Sequence, residues 1–247
     1  SHIGTAQALE RLRELFEDTN GTRERRRQVI KALGSADDQA IPLLSKLTVR
    51  FPGGSPEFEM GAKLLRLRPR SKTSAVLKSM ALDADQSDLA SVASLIAGVC
   101  PTVELGDELM KSWTKRTLPL EAVRSCMVAL SKIDPARYEA YFTKHLVSED
   151  VPTRALAVSC RALVPDPALF ETFRSFVNDP EKEIVLVALN GLRKTPEGTG
   201  PKEGLVSYLA PSFKSEEIRV LEAALNLLGE RASVKDFEGA LQLLTPL

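Results

Sequence analysis

The amino-acid sequence predicts an all-α protein built from repeated pairs of helices. The composition supports this fold class, because 43% of the 247 residues are hydrophobic, only 5% are aromatic and 27% are charged, a mixture typical of helical proteins. Similar short segments also recur along the chain. No segment shows the convincing alternation of polar and apolar residues that indicates a strand.

The repeat becomes visible when the last leucines of similar segments are aligned. The segments SCMVAL, SCRAL, ALNGL and ALNLL end in steps of 33, 29 and 36 residues, at Leu130, Leu163, Leu192 and Leu228. Nearer the start, the corresponding steps are 32, 32 and 33 residues, between Leu33, Leu65, Ala97 and Leu130. A period of about 20–50 residues is the signature of a repeat protein.

Each repeat contains two segments with helical periodicity. In the last repeat, apolar residues recur at steps of three and four residues, as one buried face of a helix requires: Ile218, Leu221, Ala224, Leu225 and Leu228. Its partner segment offers Leu205 and Leu209 in the same way. We therefore predict a single repeat domain over residues 1–247, with units near 5–34, 37–67, 72–98, 102–132, 135–163, 166–194 and 201–230 and a final helix near 233–245.

Capping residues mark the expected helix boundaries. A Ser or Asp precedes a proline at four positions, where the fixed φ and missing N–H of proline suit a first helical turn: Ser55-Pro56, Asp134-Pro135, Asp166-Pro167 and Asp179-Pro180. Glycines occur where the second helices are expected to end: Gly34, Gly98 and Gly229. Helix pairs that bury their apolar faces only against neighbouring pairs form an α-solenoid.

The segments EAVRSCMVAL, SEDVPTRALAV, SEEIRVLEAAL and AIPLLSKL resemble the HEAT-repeat family. The family pattern has a proline-started or leucine-rich first helix, an acidic turn, and a second helix with Val-Arg followed by Ala and Leu. The resemblance covers essentially the whole chain. It implies a right-handed, armadillo-like superhelix of about seven antiparallel helix pairs, and it identifies an architecture rather than an activity.

The resemblance also implies a role for a repeating arginine. In such solenoids this arginine and a nearby acidic residue form a hydrogen-bonded ladder between adjacent turns. The matching positions in this sequence are Arg27, Arg124, Arg154 and Arg219. Units two, three and six lack the arginine, so the ladder is expected to be interrupted.

The sequence contains no recognisable catalytic, cofactor or metal site. Its two histidines, His2 and His145, are far apart, and no spacing of His, Cys and Asp resembles a zinc or iron site. His145 is expected near the end of a helix. Motifs for an activated nucleophile or a phosphate-binding loop do not occur. We therefore predict a protein that is not an enzyme and has no cofactor.

Cysteine usage and hydropathy indicate a cytoplasmic protein without membrane insertion. Cys100, Cys126 and Cys160 are odd in number and lie in apolar stretches, so we expect buried free thiols. The longest apolar run, LASVASLIAGVC, is interrupted by two serines and is too short to span a bilayer.

Charge is unevenly distributed although the formal net charge is zero. Residues 1–80 hold 15 Lys and Arg and 9 Asp and Glu, whereas residues 81–247 hold 18 and 24. Lys31 and Lys63 are 32 residues apart, Arg27 shares a helix face with Lys31, and Arg66 extends the row from Lys63. The candidate partner-binding surface therefore comprises Arg27, Lys31, Lys63 and Arg66.

The stretch LLRLRPRSKTS, residues 64–74, ends the second helix of unit two. Its leucines, including Leu67, are expected to complete a buried stripe. Arg66 and Arg68 are expected in the last helical turn, where the helix dipole favours cations. Arg70 and Lys72 are assigned to the connector that leads to the third pair.

Three functions are compatible with these features. The preferred interpretation is a non-catalytic scaffold that binds a protein partner, possibly an acidic one, through an extended helical surface. The alternative is nucleic-acid binding through the basic N-terminal repeats, although aromatic residues for base stacking are missing there. The least favoured is a HEAT-like alkylpurine DNA glycosylase, a class that resembles this chain in length and helix-pair composition. The only tryptophan, Trp113, lies among Lys111, Lys115 and Arg116, but no second aromatic residue or partner Asp can be assigned to a base-binding cleft.

Overall fold

The computed structural model describes residues 5–18, 22–83, 88–114, 117–195, 200–201, 204–232 and 234–244. Within these ranges the chain forms fifteen α-helices and two short 3-10 helices and contains no strand. The predicted all-α class is therefore confirmed. None of the helices in these ranges has both the length and the apolar character needed to cross a bilayer.

The chain divides into two compact units, Ser1–Asp134 and Pro135–Leu247. The helices of the first unit are α1 Ala6–Glu17, α2 Arg23–Gly34, α3 Ile41–Thr48, α4 Pro56–Arg66, α5 Arg70–Asp83, α6 Leu89–Val99, α7 Val103–Thr114 and α8 Leu120–Ile133, with a 3-10 turn Asp38–Ala40 before α3. Those of the second unit are α9 Glu139–His145, α10 Val151–Arg161, α11 Leu169–Phe173, α12 Lys182–Leu192, α13 Leu205–Phe213, α14 Ile218–Arg231 and α15 Val234–Leu244, with a 3-10 turn Phe176–Asn178 after α11.

Helices of the first unit pack on the helix two positions along the chain as well as on the next one. The even-numbered helices follow one another, with α2 against α4, α4 against α6 and α6 against α8. The odd-numbered helices do the same from α1 to α7, and each odd-numbered helix also packs on the even-numbered helix that follows it. This unit therefore consists of two helical layers.

The second unit shows a related arrangement. Helices α10, α12 and α14 pack in series, and α9, α11 and α13 each pack on the even-numbered helix that follows. The 3-10 turn after α11 contacts α12 and α13, and α15 packs on α13. Because α11 has only five residues, the 3-10 turn after it supplies further contacts with α12 and α13.

Of the four predicted Ser-Pro and Asp-Pro caps, the one at Ser55 is confirmed. The Ser55 hydroxyl accepts a hydrogen bond from the Phe58 N–H at 3.2 Å, with Pro56 as the first residue of α4. Asp166 and Asp179 accept from the N–H two residues later, at 2.8 and 2.9 Å, but they lie in turns before the helices, and the N-cap residues of α11 and α12 are Ala168 and Glu181. Asp134 instead ends α8, because residues 135–138 form a turn before α9 begins.

The cores contain the expected aliphatic side chains, but the second unit also depends on aromatic ones. Phe142, Phe170 and Phe173 are among the largest fully buried side chains. The Tyr208 hydroxyl donates to the Phe170 carbonyl oxygen at 2.7 Å, so this buried polar group is satisfied. The expectation for the cysteines is confirmed, since all three are free and buried.

Gly61 allows a close helix approach in the first unit. A Cβ atom at Gly61 on α4 would lie 2.1 Å from the Oγ1 of Thr48, the last residue of α3. Thr48 is itself buried and donates to the Leu44 carbonyl oxygen at 2.7 Å. The absence of a side chain at Gly61 therefore sets the distance between α3 and α4.

Candidate functional site

The four residues of the predicted surface lie on two helices that pack against each other. Arg27 and Lys31 belong to α2, and Lys63 and Arg66 belong to α4. Lys31 and Lys63 occupy equivalent places, each close to the C-terminal end of its helix. The structure gives these four residues three different environments.

Arg27 is engaged in a buried ion-pair cluster between α2 and α4. The Glu57 side chain is 0% exposed. Its two carboxylate oxygens accept hydrogen bonds from Nε and Nη2 of Arg23, both at 2.6 Å, and Oε1 also accepts from Nε of Arg27 at 2.7 Å. These bonds lower the pKa of Glu57 to about 2, with the Arg23 contact as the largest cause and desolvation opposing it. Arg27 therefore joins two helices and is already paired.

Lys31 and Lys63 are exposed and uncommitted. Neither ammonium group forms a hydrogen bond or an ion pair with any residue in the described ranges, and both residues are exposed. A lysine ammonium in water retains its full charge and can meet an anionic group without breaking an internal bond. These two residues are the available cations of the predicted surface.

Arg66 and Arg68 reach in opposite directions to the ends of neighbouring helices. Nε of Arg66 donates to the Gly98 carbonyl oxygen near the end of α6, at 2.7 Å. The Nη atoms of Arg68 donate to three carbonyl oxygens at the end of α2: Ala36 at 2.7 Å, Leu33 at 3.0 Å and Gly34 at 2.7 Å. Helix C-termini carry unsatisfied carbonyls and a partial negative charge, so a guanidinium is well placed there.

Both arginines were predicted at the end of their own helix, and their hydrogen bonds to the ends of neighbouring helices were not predicted. Arg66 and Gly98 are separated by 32 residues, and Arg68 and Gly34 by 34. Because these offsets match the repeat, the contacts join equivalent positions in successive pairs. The second unit has a comparable contact, in which Arg231 at the end of α14 donates to the Arg193 carbonyl oxygen at 2.7 Å and to that of Thr195.

Three expectations for residues 64–74 are wrong. Arg68 follows the end of α4 at Arg66 and lies in the connector, not in the last helical turn. Helix α5 begins at Arg70, so Arg70 and Lys72 are helical and the connector comprises only residues 67–69. Leu67 is 76% exposed instead of buried, because the helix ends before it and the chain turns at Pro69. Lys72 pairs with Asp38 at 2.9 Å, whereas the exposed Arg70 has no bonding partner in the described part of the chain.

A cleft of about 360 Å³ lies in the first unit where α4 ends, α5 begins and α6 turns into α7. Arg66, Arg68 and Arg70 are among its lining residues. The other lining residues are uncharged: Leu65, Thr73, Val99, Cys100 and Pro101. The guanidinium groups of Arg66 and Arg68 are engaged at the ends of α6 and α2, so the cleft lining contains basic residues and no acidic one but does not gather three free cations.

The predicted arginine ladder is present in part. Nη2 of Arg154 on α10 lies 3.5 Å from the Asp179 carboxylate, just before α12, and Nη1 donates to the Ser148 carbonyl oxygen at 2.6 Å. Arg219 instead pairs with Glu217 in its own turn, at 2.7 Å. Arg27 connects α2 to α4 through Glu57. These arginines have structural partners, which leaves them little freedom to bind a ligand.

The remaining residues considered for chemistry are the histidines, the cysteines and the basic cluster around Trp113. In the described ranges no set of three or more His, Cys, Asp and Glu could hold a metal ion. His145 ends α9 beside the ring of Tyr141, and burial followed by the Lys144 charge lowers its pKa. Burial raises the pKa of the Cys126 thiol. The side chain of Trp113 and residues 115–116 lie outside the described part of the structure, as does His2.

Comparisons with known proteins bear on the fold alone. No protein-family model matches the chain, and no curated protein matches it in sequence. Among solved structures, one match is the crystal structure of an engineered protein, a target of the Northeast Structural Genomics Consortium. It is 16% identical, the match covers 94% of this chain and 97% of that chain, and the TM-score is 0.50. The likeness agrees with an all-α fold.

Proposed function

We propose that this chain is a HEAT-type, right-handed α-solenoid of seven helix pairs with a final helix, and that it is a non-catalytic cytoplasmic scaffold. Its role is to bind a protein partner that presents an acidic surface. The proposal draws on the repeated sequence motifs and on the packing of alternate helices within each unit. Stacked helix pairs expose extended surfaces that suit protein recognition.

The observation that carries the proposal is the set of uncommitted cations on three helices of the first unit. Lys31 on α2, Lys63 on α4 and Arg70 on α5 are exposed, and their charged groups have no bonding partner among the described residues. Nearby arginines are tied to Glu57 or to helix ends. Cations without an intramolecular bond are available to attract an acidic partner and to form ion pairs with it.

A protein partner fits this surface better than a nucleic acid does. Single-stranded nucleic acid is bound by aromatic side chains that stack on the bases, together with cations. The large hydrophobic side chains exposed in the described ranges of the first unit are Leu67, Leu82 and Leu120, with no aromatic residue among them. Leu67 directly follows Arg66, so an apolar contact is available beside the cations. Mixed apolar and basic contacts are typical of protein interfaces.

Charge reversal tests the proposal with a matched control. The test variant is Lys31→Glu with Lys63→Glu, and the control is Lys46→Glu with Lys214→Glu, two exposed lysines on other elements. Both variants have the same net charge. Proteins captured from the source cell by the wild type and the control, but lost with the test variant, would support the proposal. Equal capture by both variants would refute the assigned surface.

Nucleic-acid binding is the alternative, favoured by the basic excess in residues 1–80. It predicts affinity for duplex or single-stranded DNA or RNA that falls steeply with salt, because cations released from the phosphates drive binding. Tight, salt-sensitive binding of nucleic acid without any captured protein would replace the scaffold proposal. The glycosylase hypothesis predicts that the protein releases alkylated bases from DNA and that Trp113→Ala abolishes this release.

A further inference from the structure

Helix α14 presents apolar side chains to solvent along one side. Ile218 is 70% exposed and Leu225 is 39% exposed, and Leu221 between them is half-buried. Because these residues recur at steps of three and four, they form one strip along the helix. Val220 and Leu227 on the other side are buried, and both α12 and α13 pack on this helix. The strip of Ile218, Leu221 and Leu225 is therefore available to a further partner.

The preceding helix pair contains the same strip in a buried state. The repeat step of 36 residues from Leu192 to Leu228 places Val185 and Leu189 of α12 at the positions of Leu221 and Leu225. Val185 and Leu189 are both buried. Equivalent apolar positions are thus buried in α12 and partly exposed in α14, so the two helices differ in what packs against this side.

The element that covers the strip of α12 is the next even-numbered helix. Gly191 marks the side of α12 that faces α10, because a Cβ atom there would lie 2.6 Å from the Cβ of Ala162, the residue after α10. Leu189 is two residues earlier, about 200° around the helix, so it faces the opposite side. Helix α14 packs on α12 as α10 does, and it therefore covers Leu189. In the described ranges no even-numbered helix follows α14, which explains why Leu225 is exposed.

Helix α15 exposes a second apolar face in the same unit. Phe237 and Leu241 are one helical turn apart, and both are exposed. Helix α15 packs on α13, whereas α9, α11 and α13 each pack on the even-numbered helix that follows them. A helix that continues the even-numbered series would therefore contact both α14 and α15. One helix in this place would cover Leu225 and Phe237 together.

An acidic side chain beside the strip defines the chemistry of such a helix. Glu222 lies four residues after Ile218 and three before Leu225, so it belongs to the same exposed side of α14. Its carboxylate forms no hydrogen bond or ion pair with any residue in the described part of the chain. The aligned residue of α12 is the apolar Leu186. A helix that covers α14 has to bring a Lys or Arg to Glu222, because burying an unpaired carboxylate is costly.

We propose that α14 and α15 dock a basic amphipathic helix of a partner protein. Apolar residues of that helix contact Ile218, Leu225 and Phe237, and a Lys or Arg of the helix pairs with Glu222. The docked helix takes the place on α14 and α15 that α14 itself has on α12 and α13. Recognition of an amphipathic helix by an apolar surface is a recurring mode of protein binding. This surface lies in the second unit and prefers a basic partner, so it is independent of the cations of the first unit.

Three libraries of peptides with 14 residues, the length of α14, test this chemistry. The first has Leu at positions i, i+3, i+4 and i+7 and is rich in Lys elsewhere. The second replaces Lys with Glu, and the third keeps the composition of the first but breaks the helical spacing of Leu. We expect the first library to bind the full chain at least about tenfold more tightly than the other two in fluorescence polarisation. Equal affinity of the first library and either of the others would overturn the inference.

Charge reversal at Glu222 tests the ionic part of the site. Glu222→Lys should weaken binding of the Lys-rich library about tenfold and strengthen binding of the Glu-rich library. The control is Glu149→Lys, which gives the same net charge through an exposed residue just before α10 and should change neither affinity. Equal effects of the two substitutions would show that net charge alone matters and would contradict the assigned site.

Replacement of Ile218 tests the apolar part. Ile218→Gln should weaken binding of the Lys-rich library about tenfold, and thermal unfolding should stay unchanged because this side chain is largely exposed. Val147→Gln alters another exposed apolar residue, after α9, and is the matched control. Equal affinity of the two variants for the Lys-rich library would contradict a docking surface on α14.

A second copy of the chain is the other occupant that experiment can distinguish. Sedimentation velocity measures the mass of the full chain without peptide, at the protein concentrations of the binding assay. We expect a monomer, because Glu222 of one copy finds a like charge rather than a cation on the same strip of another. A dimer that Ile218→Gln dissociates would show that the strip pairs with itself and would overturn the proposed partner helix.

Discussion

Removing the Arg68 side chain should destabilise the first unit, and the structure allows the size of the effect to be worked out. Its guanidinium donates three hydrogen bonds to the end of α2, at 2.7, 3.0 and 2.7 Å. A hydrogen bond to a charged group contributes about 1.5–3 kcal/mol when buried. Arg68 is half-buried, and the three carbonyls regain water when it is replaced, so about 1 kcal/mol per bond is appropriate. Arg68→Ala should therefore lower the free energy of unfolding by about 3 kcal/mol.

Urea unfolding and hydrogen exchange measure this loss. With a slope of about 3 kcal/mol per molar urea, the transition midpoint of the first unit should fall by about 1 M. Hydrogen exchange followed by mass spectrometry should show about 100-fold less protection for amides of α2 and α4 that exchange through unfolding of this unit. Exchange is the more informative assay because it reports on these helices directly.

Two control substitutions make the Arg68 prediction specific. Arg70→Ala removes the same chemical group from an exposed position without bonds, and the free energy of unfolding should stay within about 0.5 kcal/mol of wild type. Arg68→Lys keeps the charge at the end of α2 but cannot reach all three carbonyls, so it should show about half the loss. A change below about 0.5 kcal/mol for Arg68→Ala would refute the capping role.

Two other substitutions test the packing of α4. Glu57→Gln should destabilise the protein above pH 4.5, because the folded pKa of Glu57 is about 2 and the carboxylate contributes stability in its charged form. The difference in stability from wild type should shrink as the pH falls from 4.5 towards 2. A constant difference in thermal unfolding across that pH range would count against the buried ion-pair cluster. Gly61→Ala should cost about 1–3 kcal/mol, because its Cβ would lie 2.1 Å from the Thr48 Oγ1. Thr48→Gly in the same chain should reverse part of that cost in urea unfolding, and a fully additive double variant would contradict the close approach.

The helical class and the approximate helix positions could be predicted because they depend on local periodicity and caps. Three of the aligned leucines, Leu130, Leu192 and Leu228, are buried in α8, α12 and α14. Leu163 follows the end of α10 and is 42% exposed, and Ile218 and Leu225, predicted on a buried face, are 70% and 39% exposed. The boundary near Pro69 was harder to place. Proline at that position suggested a connector through Lys72, but proline also suits the residue just before a helix, and α5 begins at Arg70.

The contacts of the candidate site could not be predicted from the sequence to the same extent. Glu57 follows a capping serine and a proline in the first turn of α4. Only the packing of α2 against α4 shows that its side chain is fully buried and bonded to two arginines. The directions of Arg66 and Arg68 depend on side-chain rotamers and on the ends of neighbouring helices. An arginine at a helix end can bind its own last turn or that of another pair, and the sequence does not distinguish these cases.

Photo-crosslinking tests most directly whether the exposed cations of α2, α4 and α5 face a protein partner. A benzophenone amino acid replaces Lys63, and a control chain carries it at Lys46 on α3. We expect protein adducts from position 63 that disappear when Lys31→Glu is added, and few adducts from position 46. Adducts only with nucleic acid at position 63, or equal protein adducts from both positions, would contradict a protein-binding surface at these cations.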